Sequence, residues 1–160
     1  MVLSYAILSA GNFWHLQEIY EQQLGILSTL VGYTGGETPN PTYRQVSAGQ
    51  SGHFEAVKLA YNENVTDYAH ILDVFFASHN PTHLTSTSAG NHILQPSVIF
   101  YLNDRQKALA EQKKLLFQHH FEQPIITEIR PAQTFYPAEE HHQHFLLKPG
   151  QTTCCLKGNC

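Results

Sequence analysis

The chain has 160 residues, 42% of them hydrophobic and 14% charged, and a formal charge of -4; its pI is near 6.2 and its mass 18.1 kDa. That length buries one self-sufficient core and predicts a single domain. The mildly acidic balance argues against a nucleic-acid or polybasic membrane surface as the main partner, and no apolar run reaches spanning length.

Strand and helix alternate along the chain. Residues 2–9 form a β-like apolar run without a basic leader or a long apolar stretch. They read as a first strand, not a signal peptide, and cytoplasmic residence is the expectation. After Ala10-Gly11, residues 13–23 have helical spacing, with Trp14, Ile19 and Leu24 among the larger apolar positions and Gly25 as the expected C-cap. A second strand over 26–33 breaks at Thr34-Gly35-Gly36, and 37–51, rich in Gly, Pro, Asn and Ser, reads as irregular loop.

Residues 54–61 alternate as a strand and 68–78 read as a helix. A long polar loop covers 80–96, of a length that is usually functional. A buried strand follows at 97–102, then a helix capped by Asp104 and running to about Gln118, then a strand over 125–129. Pro137 with Glu139 and Glu140 predicts a last helix, since proline and acids suit a helix N-terminus. Short strands mixed with helices predict an α+β, single-domain sandwich around one core, residues 1–149, followed by a loosely structured tail, 150–160.

Two positions invite chemistry. The strand–Gly11–Asn12–helix junction aims a side chain at unpaired helix N–H groups, in a positive field that would stabilise a thiolate. Asparagine there is a good N-cap, so a purely structural reading is complete. Glu55 shares a strand face with Val57 and Leu59. A carboxyl on an apolar face is desolvated and suits proton donation; an edge-strand glutamate reaching water is the alternative. Phe13, Trp14 and Tyr43 read, by spacing alone, as core.

Gly11-Asn12-Phe13-Trp14, Gly32-Tyr33-Thr34-Gly35-Gly36, Asn40-Pro41-Thr42-Tyr43, Ser51-Gly52-His53-Phe54-Glu55-Ala56-Val57 and Phe135-Tyr136-Pro137-Ala138-Glu139-Glu140-His141-His142-Gln143 run in order. Together they resemble the methionine sulfoxide reductase A family over nearly the whole chain. That resemblance implies a two-layer sandwich with a mixed sheet and a ferredoxin-like core. It also implies reduction of peptide methionine (S)-sulfoxide, with thioredoxin or another dithiol as reductant and no bound cofactor. A monomer is expected.

In the family a cysteine between Gly and Phe-Trp attacks the sulfoxide sulfur, and tail cysteines resolve the sulfenic acid as a disulfide. Carried over, Glu55 is the acid, Tyr43 a hydrogen-bonding tyrosine, and Phe13 and Trp14 the aromatic wall for the substrate methyl. Cys154, Cys155 and Cys160, the only cysteines, match resolving thiols. The nucleophile position holds Asn12, whose amide cannot act as a redox nucleophile, so the resemblance implies absent or weak activity. The alternative is a silent binding module for oxidised-methionine peptides or a protein partner.

The loop opened by Asn80-Pro81-Thr82 departs from the family as well: Gly90 stands at its Asp position, Gln95 at a Tyr position and Pro96 at an Arg position. Eleven histidines, including His119-His120 and His141-His142-Gln143-His144, suggest metal binding only weakly. Neighbouring helix positions diverge, and a site needs three or four converging ligands. No metal site is expected.

Overall fold

The computed structural model describes residues 2–86 and 93–144. Its elements are β1 (Leu3–Ser9), α1 (Phe13–Glu21), β2 (Ile26–Thr34), α2 (Tyr43–Ser47), β3 (Phe54–Asn62), α3 (Tyr68–Ala77), β4 (Thr85–Ser86), β5 (Leu94–Gln95), β6 (Val98–Tyr101), α4 (Asp104–Gln118), β7 (Glu128–Pro131) and β8 (Tyr136–Pro137). A single 3-10 turn, Glu140–His142, follows.

Six strands form one mixed sheet in the order β7-β6-β1-β3-β2-β8. Its middle, β6-β1-β3-β2, is antiparallel throughout, and the chain visits it as β1-α1-β2-β3-α3-β6. This is the ferredoxin-like arrangement, within an α+β fold. The helix α4 returns the chain to add β7 parallel to β6, while β8 pairs antiparallel with the far side of β2.

The two-residue strand period sorts the core into two faces. On one, Leu8, Val31, Val57, Leu59 and Ile99 pack against Leu16 and Tyr20 of α1 and Ile71, Leu72 and Phe75 of α3. On the other, Ile7, Phe54, Ala56, Val98 and Phe100 are covered by Ala132 and Phe135. Each fully buried side chain of this size contributes about 1.5–3 kcal/mol, which fixes the register: a one-residue slip would exchange the faces.

Several boundaries differ from the sequence reading, each for a local reason. Helix α1 ends at the cap Gln22, where the Gln22 N–H bonds the Ile19 carbonyl and the Gln23 N–H the Tyr20 carbonyl. Gly25, expected as that cap, instead takes φ +91 immediately before β2. The cap of α4 is Asn103, not Asp104: Asn103 is the extended residue, and its side chain accepts from Gln106 N–H at 2.9 Å. The strand expected over 125–129 begins only at Glu128, because Ile125 N–H is taken by Gln118 Oε1 and Ile126 N–H by the Pro81 carbonyl.

Two loops carry more order than expected. Within 37–51, a Thr42–Gln45 capping box starts α2. Within the polar loop, β4 and β5 pair as Thr85↔Gln95 and Ser86↔Leu94. The helix expected from Pro137 does not form. Tyr136 and Pro137 instead extend the sheet edge, where a proline without an N–H is tolerated. The Gln143 side chain then clamps β2, accepting from Val31 N–H at 2.9 Å and donating to the Val31 carbonyl at 2.8 Å. Bonds to β2 take the place of helical ones, and among the described residues this segment holds one 3-10 turn.

Candidate active site

Antiparallel pairing brings the C-terminal end of β1 beside the N-terminal start of β3, and Ser9 Oγ donates to the Glu55 carbonyl at 2.6 Å. The chain leaves β1 through Gly11, which has φ +75. A Cβ there would lie 2.5 Å from the Ser86 carbonyl oxygen, so only glycine lets β4 approach the helix mouth this closely. Asn12 comes next. It is extended, and its Oδ1 accepts from Trp14 N–H at 2.8 Å and His15 N–H at 3.4 Å. The expected N-cap is therefore present.

Glu55 is 1% exposed and lies on an interior strand, which removes the edge-strand alternative. It points to the helix face with Val57 and Leu59. Directly opposite on β2 is Tyr33, which is fully buried. Burial pushes the Tyr33 phenol far above its usual range, and the Glu139 and Glu55 carboxylates push it further. Tyr33 thus stays protonated and donates to Glu139 Oε2 at 3.0 Å.

Glu139 joins two distant segments. Its Oε1 accepts from the Tyr43 backbone N–H at 3.1 Å, and its Oε2 lies 3.7 Å from His142 Nε2. Partial burial would raise its carboxyl pKa, but backbone N–H donors, the Tyr33 hydroxyl and the nearby His142 ring more than offset this and hold it low.

Four rings gather above this network. Phe13 is fully buried and Trp14 nearly so. Tyr43 packs 4.1 Å from His142, 6.0 Å from Trp14 and 6.3 Å from Phe13, between ring centroids. His142 in turn lies 5.5 Å from Trp14. An aromatic wall beside a helix N-terminus and a buried carboxyl can hold a small group with an apolar methyl and a partially negative oxygen.

Asn12, Phe13, Trp14, Tyr43 and Glu55 thus meet at one end of the sheet. Cys154, Cys155, Cys160 and Gly90 lie outside the described residues. Gln95 is on β5, where its side chain donates to the His53 carbonyl at 3.3 Å. Among the described residues no group of three or more His, Cys, Asp or Glu is placed to hold a metal ion, and no helix is long and apolar enough to cross a membrane. A separate cavity of about 500 Å³, lined by Leu3, Tyr61, Tyr68 and Arg105 among others, lies toward the opposite end of β1 and β3.

The family model described as peptide methionine sulfoxide reductase matches residues 4–160. The chain belongs to that family. A peptide methionine sulfoxide reductase MsrA of Pasteurella multocida (strain Pm70) is 43% identical over 150 residues, covering 94% of this chain and 86% of that protein. Among solved structures, reduced Mxr1 of Saccharomyces cerevisiae superposes with a TM-score of 0.78 at 26% identity, covering 93% of this chain and 87% of Mxr1. Mxr1 in complex with Trx2 matches with a TM-score of 0.60 at 21% identity, over 89% of this chain and 84% of that one; this likeness shows the fold.

Reduction of methionine sulfoxide is the reaction of the family. The sequence reading assigned no site role to Tyr33, Glu139 or His142. All three sit inside the resembling motifs, and that position is the signal that could have found them.

Proposed function

We propose that this chain binds methionine (S)-sulfoxide in peptides and reduces it weakly or not at all. The observation that carries this reading is Asn12 as the cap of α1, beside the intact Phe13–Trp14–Tyr43–His142 wall and the buried Glu55. In the family reaction a thiolate at that helix mouth attacks the sulfoxide sulfur while an acid protonates the departing oxygen. The amide of Asn12 has no electron pair of comparable nucleophilicity, so bond formation to sulfur stops there. Binding survives, because the rings and Glu55 are the groups that would hold the methyl and face the oxygen.

Titration calorimetry with one peptide in oxidised and reduced forms tests the binding. Preference for the oxidised form supports it, and equal or absent binding removes it. Asn12→Cys tests the chemistry. With oxidised peptide and dithiothreitol, turnover should rise at least about a hundredfold, since loss of a nucleophile typically costs more than that. Unchanged turnover would move the defect to the altered loop between Asn80 and Pro96.

A second reading rests on Cys154, Cys155 and Cys160, the chain's only thiols, which match the family's resolving cysteines. A tail thiol could then attack the sulfoxide slowly, without the field of the helix end. Thioredoxin or another dithiol would regenerate it; the Mxr1 structure with Trx2 supports a partner of this kind. Slow turnover that vanishes when all three cysteines become serine supports this reading, and turnover that survives the change rejects it.

A further inference from the structure

The Asn12 amide has two chemically different ends, and the structure uses only one. Two backbone donors face Oδ1, at 2.8 and 3.4 Å. They fix the orientation of the amide, because exchanging its ends would set N–H against N–H. Nδ2 is then the end of the amide that does not face these backbone donors. Among the described residues that nitrogen donates to nothing, although it carries two N–H groups.

The location gives the spare donors a direction of use. Asn12 is half-buried at the N-terminal end of α1, adjoining the first two rings of the aromatic wall. The helix end adds positive potential, which favours a partially negative atom and disfavours a cation. A sulfoxide oxygen is a strong acceptor carrying partial negative charge. A thioether sulfur is a weak acceptor. The apolar wall cannot tell oxidised from reduced methionine by its methyl, which both possess. A donor at the helix mouth can.

We propose that the Asn12 amide nitrogen donates to the S=O oxygen of oxidised methionine and sets the preference of the site for sulfoxide over thioether. The inference rests on the reading that this site binds oxidised methionine in peptides. It gives Asn12 a positive role: a residue that cannot attack sulfur holds the oxygen instead. A donor that a ligand leaves unsatisfied in a half-buried site penalises that ligand, so selectivity comes as much from rejection of the thioether as from attraction of the sulfoxide.

Two experiments on the full chain test this. The first measures, by calorimetry, the ratio of affinities for one peptide carrying methionine sulfoxide or methionine. Asn12→Asp keeps an oxygen for the helix cap and removes both donors; Asn12→Ala removes the donors without adding charge. In both, the oxidised-to-reduced ratio should fall about tenfold or more. Either variant retaining the wild-type ratio overturns the proposal while leaving the binding reading intact. A wild-type protein with no preference overturns both.

The second needs no variant. The side-chain NH2 resonances of Asn12 should shift when the oxidised peptide saturates the site and stay in place with the reduced one. Saturation by the oxidised peptide without a shift overturns the proposal.

Discussion

Asparagine and cysteine are close in size, but they make different uses of a helix N-terminus. A thiolate takes the positive field as stabilisation of charge, whereas an amide takes it as two hydrogen bonds to Oδ1. Asn12→Ala removes the cap and leaves the Trp14 and His15 N–H groups to find water. Stability should fall by about 1 kcal/mol, read as a shift of the urea midpoint with an unchanged slope. No shift would mean that the cap contributes nothing. At this scale sequence was a good guide where chemistry is local: the cap of α1 follows from one residue type at a strand–helix junction. It was a poor guide where partners are remote. The Tyr33–Glu139 bond joins residues 106 positions apart, and only the sheet and its β8 edge bring them together. Glu55 lay between: its face was legible from alternation, but whether its strand was interior needed the pairing of β1 and β2 on either side of β3.

Elements that bury a regular face could be read from their periodicity, and β1, β2, β3, α1, α3 and α4 all formed near their expected spans. The segment after Pro137 could not be. Its residues favour a helix start, yet its order comes from one side chain: Gln143 bonds both backbone groups of Val31 and the carbonyl of Ala138. These bonds hold the 3-10 turn that carries His142 into the ring cluster. Gln143→Ala should therefore do two things. It should cost about 2–3 kcal/mol, the effect of leaving buried backbone groups unsatisfied. It should also weaken binding of an oxidised-methionine peptide, because Tyr43 loses the His142 ring packed 4.1 Å from it. Hydrogen exchange locates the effect, with the Val31 amide losing protection while amides of α4 keep theirs. Uniform loss of protection would show that the clamp supports the whole fold and not this edge alone.

For the molecule as a whole, the pH dependence of stability follows from a histidine that no motif singled out. His79 is one of eleven, and it sits just past α3 with its ring against Phe75 at 4.8 Å. Its Nε2 is buried and, among the described residues, has no hydrogen-bond partner. Burial lowers its pKa from 6.5 to about 4, against a smaller opposing effect from the Phe75 backbone. The folded state therefore holds His79 neutral through a range in which the unfolded chain binds a proton. Above pH 6.5 neither state is protonated there and the residue is silent. As pH falls from 6.5 toward 4 the unfolded state gains its proton alone, and stability falls by up to about 3 kcal/mol before levelling off. Glu139 acts lower: its carboxyl sits below the ordinary value of 4.5, so its contribution is lost only as pH falls below that value. Urea unfolding at pH 7, 5.5 and 4.5 should show the first decline, and His79→Leu, which cannot titrate, should flatten it between 6.5 and 4.5 while leaving the drop below 4.5 in place. An undiminished decline in that variant would assign the acid sensitivity to other histidines. The remaining decline in His79→Leu would in turn be removed by Glu139→Gln if the carboxylate is its source, because the two groups titrate in successive ranges.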